Sequence, residues 1–289
     1  MELFTVSAND NKGLEDSLQA LRTDGVIFVR EAVDTEFLAI LKRRMDEDTP
    51  RLLEFCEANG GNPRDKGQLQ QAAPPFPPFL HEDILANPFV WNIVHRLLGP
   101  GAGLMFYGGN TACPDSSAQN VHLDQAHKSD KSTPIRSLVV SIGPQATTKR
   151  NGATEIWPGT HTIISEMRVP PEFLEQQRKR RPPVQLETDP GDIVIRDARL
   201  WHRAVENPST EYRHMLGAVF HTAPKGPVMF DNSARTFVEA TNVNLNAAYS
   251  DLSEDYLFAP TRWLLGQGGE SDMTASAADG GAAKPLSDI

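Results

Sequence analysis

His122 and Asp124 stand one residue apart in the segment QNVHLDQ. On an extended chain, residues two apart project from the same face, so an imidazole and a carboxylate would converge there. A second imidazole, His202, follows 78 residues after Asp124 in the run DIVIRDARLWHRAVEN, at the end of an apolar, strand-like stretch. Two imidazoles and one carboxylate form the facial ligand set of non-haem iron(II), which leaves coordination positions open for a co-substrate and oxygen. Arg213 lies eleven residues beyond His202. Each residue also has an ordinary reading. An isolated histidine more often packs in a core or sits on a surface, an HxD pair alone is a permissive motif, and Arg213 close to Glu211 fits a surface cation.

Such a set needs strands to hold it. Short apolar or alternating segments at 103–107, 135–142, 153–157, 184–188, 192–196 and 214–222 are separated by Pro, Gly and Asn turns. They predict a β-rich core over about 103–225. The preceding part, 1–100, reads as helical: Leu14, Leu18 and Leu21 share a helical face before Asp24-Gly25, and VIFVR at 26–30 forms a strand. A longer helix starts at Asp34, where Pro50 is expected to interrupt or kink it, and a third spans 87–99 up to Gly99-Pro100. Residues 57–80, rich in Gly, Pro and Gln, read as a loop long enough to be a lid or to face a substrate. A short helix near 170–180 ends in the basic run at 178–181.

The expected fold class is mainly β with framing α-helices, organised as one domain over 1–265. In its last segment, 226–265, Tyr256, Leu257, Phe258, Trp263, Leu264 and Leu265 are too apolar to be left in water and are expected to pack on the core or on a second subunit. Residues 266–289 carry almost no large apolar groups and are expected to be disordered.

Across 289 residues, 28 Lys and Arg face 38 Asp and Glu, a formal charge of −10 that repels phosphate backbones and anionic lipid surfaces. Nucleic acid and membrane are therefore not expected partners. No run approaches the ~20 apolar residues of a membrane span, and the N-terminus lacks the basic and apolar pattern of a leader. Cys56 and Cys113 are too few for a disulfide framework, which points to a reducing, cytoplasmic setting. A chain of ~300 residues buries roughly three quarters of its unfolded surface, so a metal is not needed as a staple and is free to be catalytic.

Taken together, several segments resemble the phytanoyl-CoA dioxygenase-like branch of the iron(II)/2-oxoglutarate-dependent oxygenases, which includes many fungal natural-product enzymes. They are the opening LEDSLQALRTDGVIFVREAVD, QNVHLDQ, the turn NGATEIWPGTH, the run PGDIVIRDARLWHRAVEN and the arginine of EYRHM. The resemblance covers about residues 14–225 and implies a double-stranded β-helix (jelly-roll, cupin-like) core with iron(II) held by His122, Asp124 and His202 at its mouth. It further implies that Arg213 pairs bidentately with the distal carboxylate of 2-oxoglutarate, since a planar guanidinium matches a carboxylate and keeps its charge when enclosed. Gln119 and Gln125 would hydrogen-bond the co-substrate or orient metal-bound groups. Thr160 would donate its hydroxyl to the same carboxylate, with a plain turn role as the alternative.

The implied cofactors are Fe(II), 2-oxoglutarate and O2. The implied reaction oxidises an unactivated C–H bond of a small molecule, by hydroxylation, desaturation or cyclisation, in secondary metabolism. Halogenation is disfavoured because a halide would need the coordination position that Asp124 fills. Two other readings stand beside this one. An acyl-CoA hydroxylase of the phytanoyl-CoA type is favoured by the basic run at 178–181. A non-catalytic metal-binding cupin has no need for Arg213. A homodimer is compatible with all three.

Overall fold

A computed structural model describes residues 3–8, 13–62, 66–126, 134–252 and 255–267. His127 and residues 268–289, which hold most of the tail expected to be disordered, lie outside the described residues. The chain opens with β1 (Thr5–Ser7), α1 (Gly13–Asp24) and β2 (Val26–Arg30). Leu18 and Leu21 are the buried apolar face of α1. Gly25, at φ +77°, makes the turn into β2 in a left-handed conformation that L side chains rarely adopt.

Helix α2 (Thr35–Ala58) is capped by Asp34, whose carboxylate accepts from the Phe37 amide at 2.7 Å. The expected interruption at Pro50 is not seen as a break, and the helix runs on to Ala58. In the turn before the proline, the Met45 carbonyl accepts from Thr49 Oγ1 at 2.7 Å and from Gln71 Nε2 at 2.8 Å.

The segment read as a loop over 57–80 departs further from expectation. It contains β3 (Gln68–Leu69), and Gln68, Leu69, Gln71 and Ala73 are buried. The glutamines are inside because they have partners: Gln68 Nε2 donates to the Ser117 carbonyl at 3.0 Å, while Gln71 Oε1 accepts from Thr111 at 2.6 Å and Gln71 Nε2 donates to the Met45 carbonyl. This part of the segment is an inner wall.

Two helices follow, α3 (Glu82–Leu85) and α4 (Pro88–Leu98), the latter with Asn87 as cap and Pro88 in its first turn. Then come β4 (Gly103–Ala112), β5 (Ser137–Ile142), β6 (Glu155–Ile156), α5 (Pro171–Arg180), β7 (Val184–Gln185), β8 (Ile193–Asp197), β9 (His202–Arg203) and β10 (Arg213–His221). These match the expected segments to within a few residues. The C-terminal part adds β11 (Val228–Asp231), α6 (Arg235–Ala240), β12 (Ala247–Ser250) and α7 (Ala259–Leu264), elements not anticipated from sequence.

The architecture is mixed helix and sheet around a seven-stranded sheet in the order β1-β2-β8-β5-β10-β4-β3, antiparallel except for β1 with β2. A three-stranded sheet has the order β7-β6-β9. The large sheet is therefore covered on both faces. Ile27, Val29, Leu138, Val140, Ile193, Ile195, Leu216 and Ala218 form one cluster with the apolar stripes of α1, α2 and α4. Val26, Phe28 and Val194, one residue out of phase, pack instead with Ile156 of β6, Leu186 and Leu200. That second face looks toward the small sheet.

Candidate metal centre

The chain leaves the large sheet at the end of β8 and enters the small sheet at β9 through a tight connection. Asp197 fixes it: its two carboxylate oxygens accept from Arg199 Nε and Nη2 at 2.9 and 2.7 Å, and Oδ1 also takes the Arg199 amide at 2.8 Å. His202 emerges from this connection opposite His122, and the two backbones exchange hydrogen bonds of 3.0 Å in both directions. Asp124, two residues along, is tied by its amide to the Ala198 carbonyl at 2.9 Å. The HxD spacing thus does what an extended segment requires, and the three side chains converge with their ligand atoms within 4.8 Å of one another.

Hydrogen bonds set the orientation of both imidazoles. His122 Nδ1 lies 2.9 Å from the Asn120 carbonyl and His202 Nδ1 lies 2.9 Å from the Leu200 carbonyl. Each Nδ1 therefore carries the proton, and each Nε2 presents its lone pair, the form in which a histidine ligates a metal. His202 Nε2 stands 3.5 Å from Asp124 Oδ1. The other oxygen, Oδ2, accepts from Arg196 Nη2 at 2.5 Å.

Electrostatics favour the same donor state. Burial alone would push the Asp124 carboxyl up, but the Arg196 guanidinium, followed by the histidines, holds it well below the usual range. Burial first, and the adjacent His202 second, lower His122 to about 4. At neutral pH the set is one carboxylate and a neutral His122, which fits a divalent cation of borderline hardness.

Arg213 opens β10 on the same face of the large sheet. Residues in register point to the same side, so Arg196, Val139 and Val219 share a face, and Arg213 lies three alternations before Val219. It is 1% exposed, and Nη1 donates to Asn110 Oδ1 at 3.2 Å. Among the described residues its buried Nε and Nη2 have no partner. Burial lowers its pKa to about 10, which leaves it charged at neutral pH. The connection before it is shaped by Asn207, fully buried, whose amide donates to the Ala112 and Glu211 carbonyls at 2.9 and 2.8 Å.

The family profile described as Phytanoyl-CoA dioxygenase (PhyH) matches residues 21–215. The chain belongs to this family. The matched stretch contains His122, Asp124, His202 and Arg213. Among individual proteins, the chain is similar to Dioxygenase andF of Emericella variicolor, 23% identical over 229 residues that span 74% of this chain and 76% of that protein. Dioxygenase aneA of Aspergillus aculeatus is 26% identical over 170 residues, 52% of this chain and 55% of its own length. Dioxygenase af480 of Aspergillus fumigatus is 28% identical over 146 residues, 49% and 44% respectively. The chain thus spans about half the length of the latter two.

The remaining expected site residues of this PhyH-family chain are engaged elsewhere or stand apart from the cluster. Thr160 is fully buried, and its hydroxyl donates to the Trp157 carbonyl at 2.7 Å and accepts from the Trp201 amide at 3.0 Å. With its single proton committed, it cannot also donate to a carboxylate, and it instead positions the residue before His202. Gln119 clips the strand that leads to His122, because its Oε1 accepts from the Ala204 amide at 3.1 Å. Gln125 follows Asp124 directly and is half-buried, its amide on the Ala198 carbonyl at 3.1 Å. Two polar residues were not singled out from sequence: Arg196, which holds Asp124, and Asn110, which holds Arg213. The alternation of DIVIRD would have placed Arg196 on one sheet face, but not opposite Asp124.

Proposed function

We propose that this protein is a non-haem iron(II)/2-oxoglutarate-dependent dioxygenase that oxidises an unactivated C–H bond of a small molecule of secondary metabolism. In this reading His122, Asp124 and His202 hold ferrous iron, and Arg213 with Asn110 receives the distal carboxylate of 2-oxoglutarate. The two sheets are the halves of a double-stranded β-helix within a single domain over 1–265. The observation that carries the reading is the joint one: three donors within 4.8 Å, and on the same sheet face as their Arg196 support, a buried arginine with two unpartnered N–H groups. A buried guanidinium with unsatisfied donors is costly, and a planar dicarboxylate end relieves that cost. A passive metal-binding cupin gives no reason to keep it.

Bound iron and 2-oxoglutarate supply the power to activate O2 and oxidise the substrate, with succinate and carbon dioxide as by-products. The chain's own residues do the rest. The two carbonyl-bound imidazoles present Nε2 without rotating, Arg196 leaves one Asp124 oxygen for the metal, and Arg213 fixes the co-substrate's far end. In the basic run that favours the acyl-CoA reading, Arg181 is paired with Asp24 at 2.8 Å, whereas Arg178 and Arg180 are exposed.

Succinate formation from 2-oxoglutarate tests the proposal, with protein loaded anaerobically with ferrous iron, exposed to oxygen, and offered a panel of small molecules. Iron- and oxygen-dependent succinate, stimulated by at least one panel member, is expected. Absence of succinate from a folded, iron-loaded protein overturns it.

A further inference from the structure

Arg196 is more than a partner for Asp124. Its side chain is 8% exposed, Nη2 donates to Asp124 Oδ2 at 2.5 Å, and Nη1 is buried with no partner among the described residues. Its neighbours in register are Val26 on β2 and Val139 on β5, whose side chains offer no acceptor. The guanidinium thus spends Nη2 on the Asp124 carboxylate and holds Nη1 beside it, unsatisfied among the described residues, on the sheet face turned toward the three candidate ligands. Arg213 shows the same signature, an anchored guanidinium with idle donors, at the start of β10.

We propose that Arg196 forms a second carboxylate subsite, which receives the carboxylate adjoining the keto group of a 2-oxoacid. The proposal rests on the reading of His122, Asp124 and His202 as a metal site. A 2-oxoacid that chelates a metal does so through its keto oxygen and one carboxylate oxygen, so the other carboxylate oxygen keeps its lone pairs for a donor. Arg196 is placed to be that donor because it already reaches a carboxylate that would share the same metal. The charges agree: one arginine faces each end of a dicarboxylate, and Asp124 with the divalent ion completes the set. The two arginines then read different features of the co-substrate. Arg213 reads the distal carboxylate, and Arg196 reads the 2-oxoacid end.

Calorimetric titration of the full-length, manganese(II)-saturated protein separates the two. The probes are 2-oxoglutarate, 2-oxobutyrate, which lacks the distal carboxylate, and glutarate, which lacks the keto group. For Arg196→Met the affinities for 2-oxoglutarate and 2-oxobutyrate should both fall about tenfold or more, the worth of one charge-assisted hydrogen bond, while their ratio stays at the wild-type value. For Arg213→Ala that ratio should collapse toward one. Arg196→Lys keeps a charge for Asp124 but loses the fork, so it should bind manganese nearly as wild type and still lose affinity for both 2-oxoacids. The lysine variant carries the test if the methionine variant does not fold. Unchanged 2-oxoacid affinity in a folded, manganese-saturated Arg196 variant overturns the proposal and leaves Arg196 as a holder of Asp124 alone. A wild-type protein that binds manganese but no 2-oxoglutarate overturns the functional reading, and this proposal with it.

Discussion

His122 and His202 each spend Nδ1 on a backbone carbonyl, which leaves Nε2 as the nitrogen that would ligate a metal under the proposed function. Replacing either by Ala should reduce bound iron from about one ion per chain to near zero under metal-limited dialysis, because two ligands hold a divalent ion far more weakly than three. Iron content by elemental analysis checks this, with circular dichroism to confirm the fold. Arg213→Ala should keep the iron and weaken 2-oxoglutarate by about a hundredfold, since it strips the partner from a buried carboxylate. Equilibrium titration of the iron-loaded variant reads that loss. His122, Asp124 and His202 could be grouped from residue type and spacing, HxD on an extended segment and then a histidine at a strand end, whereas a role for Arg213 came from the family resemblance. Arg196 and Asn110 were not legible, and for Thr160 a plain turn role stood only as the alternative. Their partners come from other strands or from backbone atoms, such as the Trp201 amide 41 residues beyond Thr160, and a linear pattern does not show which backbone group a hydroxyl will meet.

Helix α2 is the element that ties the C-terminal segment to the sheet. Tyr256 donates its hydroxyl to Asp48, buried at 1% exposure, and accepts from Arg44 Nη2 at 2.8 Å. Tyr256 and Leu257 share a cluster with Leu52, Cys56, Leu69 and Cys113. Tyr256→Phe should therefore cost about 1–2 kcal/mol, read as a lower denaturant midpoint with unchanged slope, because it leaves a buried carboxylate one donor short. Helices and strands with a clear period, such as α1, α4 and β10, could be recognised from sequence to within a residue or two. The β3 segment could not, because Gln68 and Gln71 look like loop residues until their amides are seen bonded to Ser117 and Met45. At Pro50 the local rule predicts an interruption or a kink, whereas the helix runs on to Ala58.

At the scale of the whole molecule, burial lowers the pKa of His122, His161 and His214, and each therefore binds a proton more readily in the unfolded chain. Stability should be full above the unfolded histidine value of ~6.5 and fall as pH drops from about 7 to 5. A series of thermal melts on the metal-free protein should show the melting temperature declining over that range. No described helix is long and apolar enough to cross a membrane. What joins these scales is a sheet covered by helices on one face, with its second face turned toward a small sheet, so that Asp124, His202 and Arg213 come from separate segments to one side. The most direct measurement of that arrangement is a crystal structure of the protein with manganese(II) and 2-oxoglutarate. The account predicts one metal ion on His122, Asp124 and His202, and the distal carboxylate on the free edge of Arg213. A metal bound by other residues, or a 2-oxoglutarate that leaves Arg213 unpartnered, would contradict it.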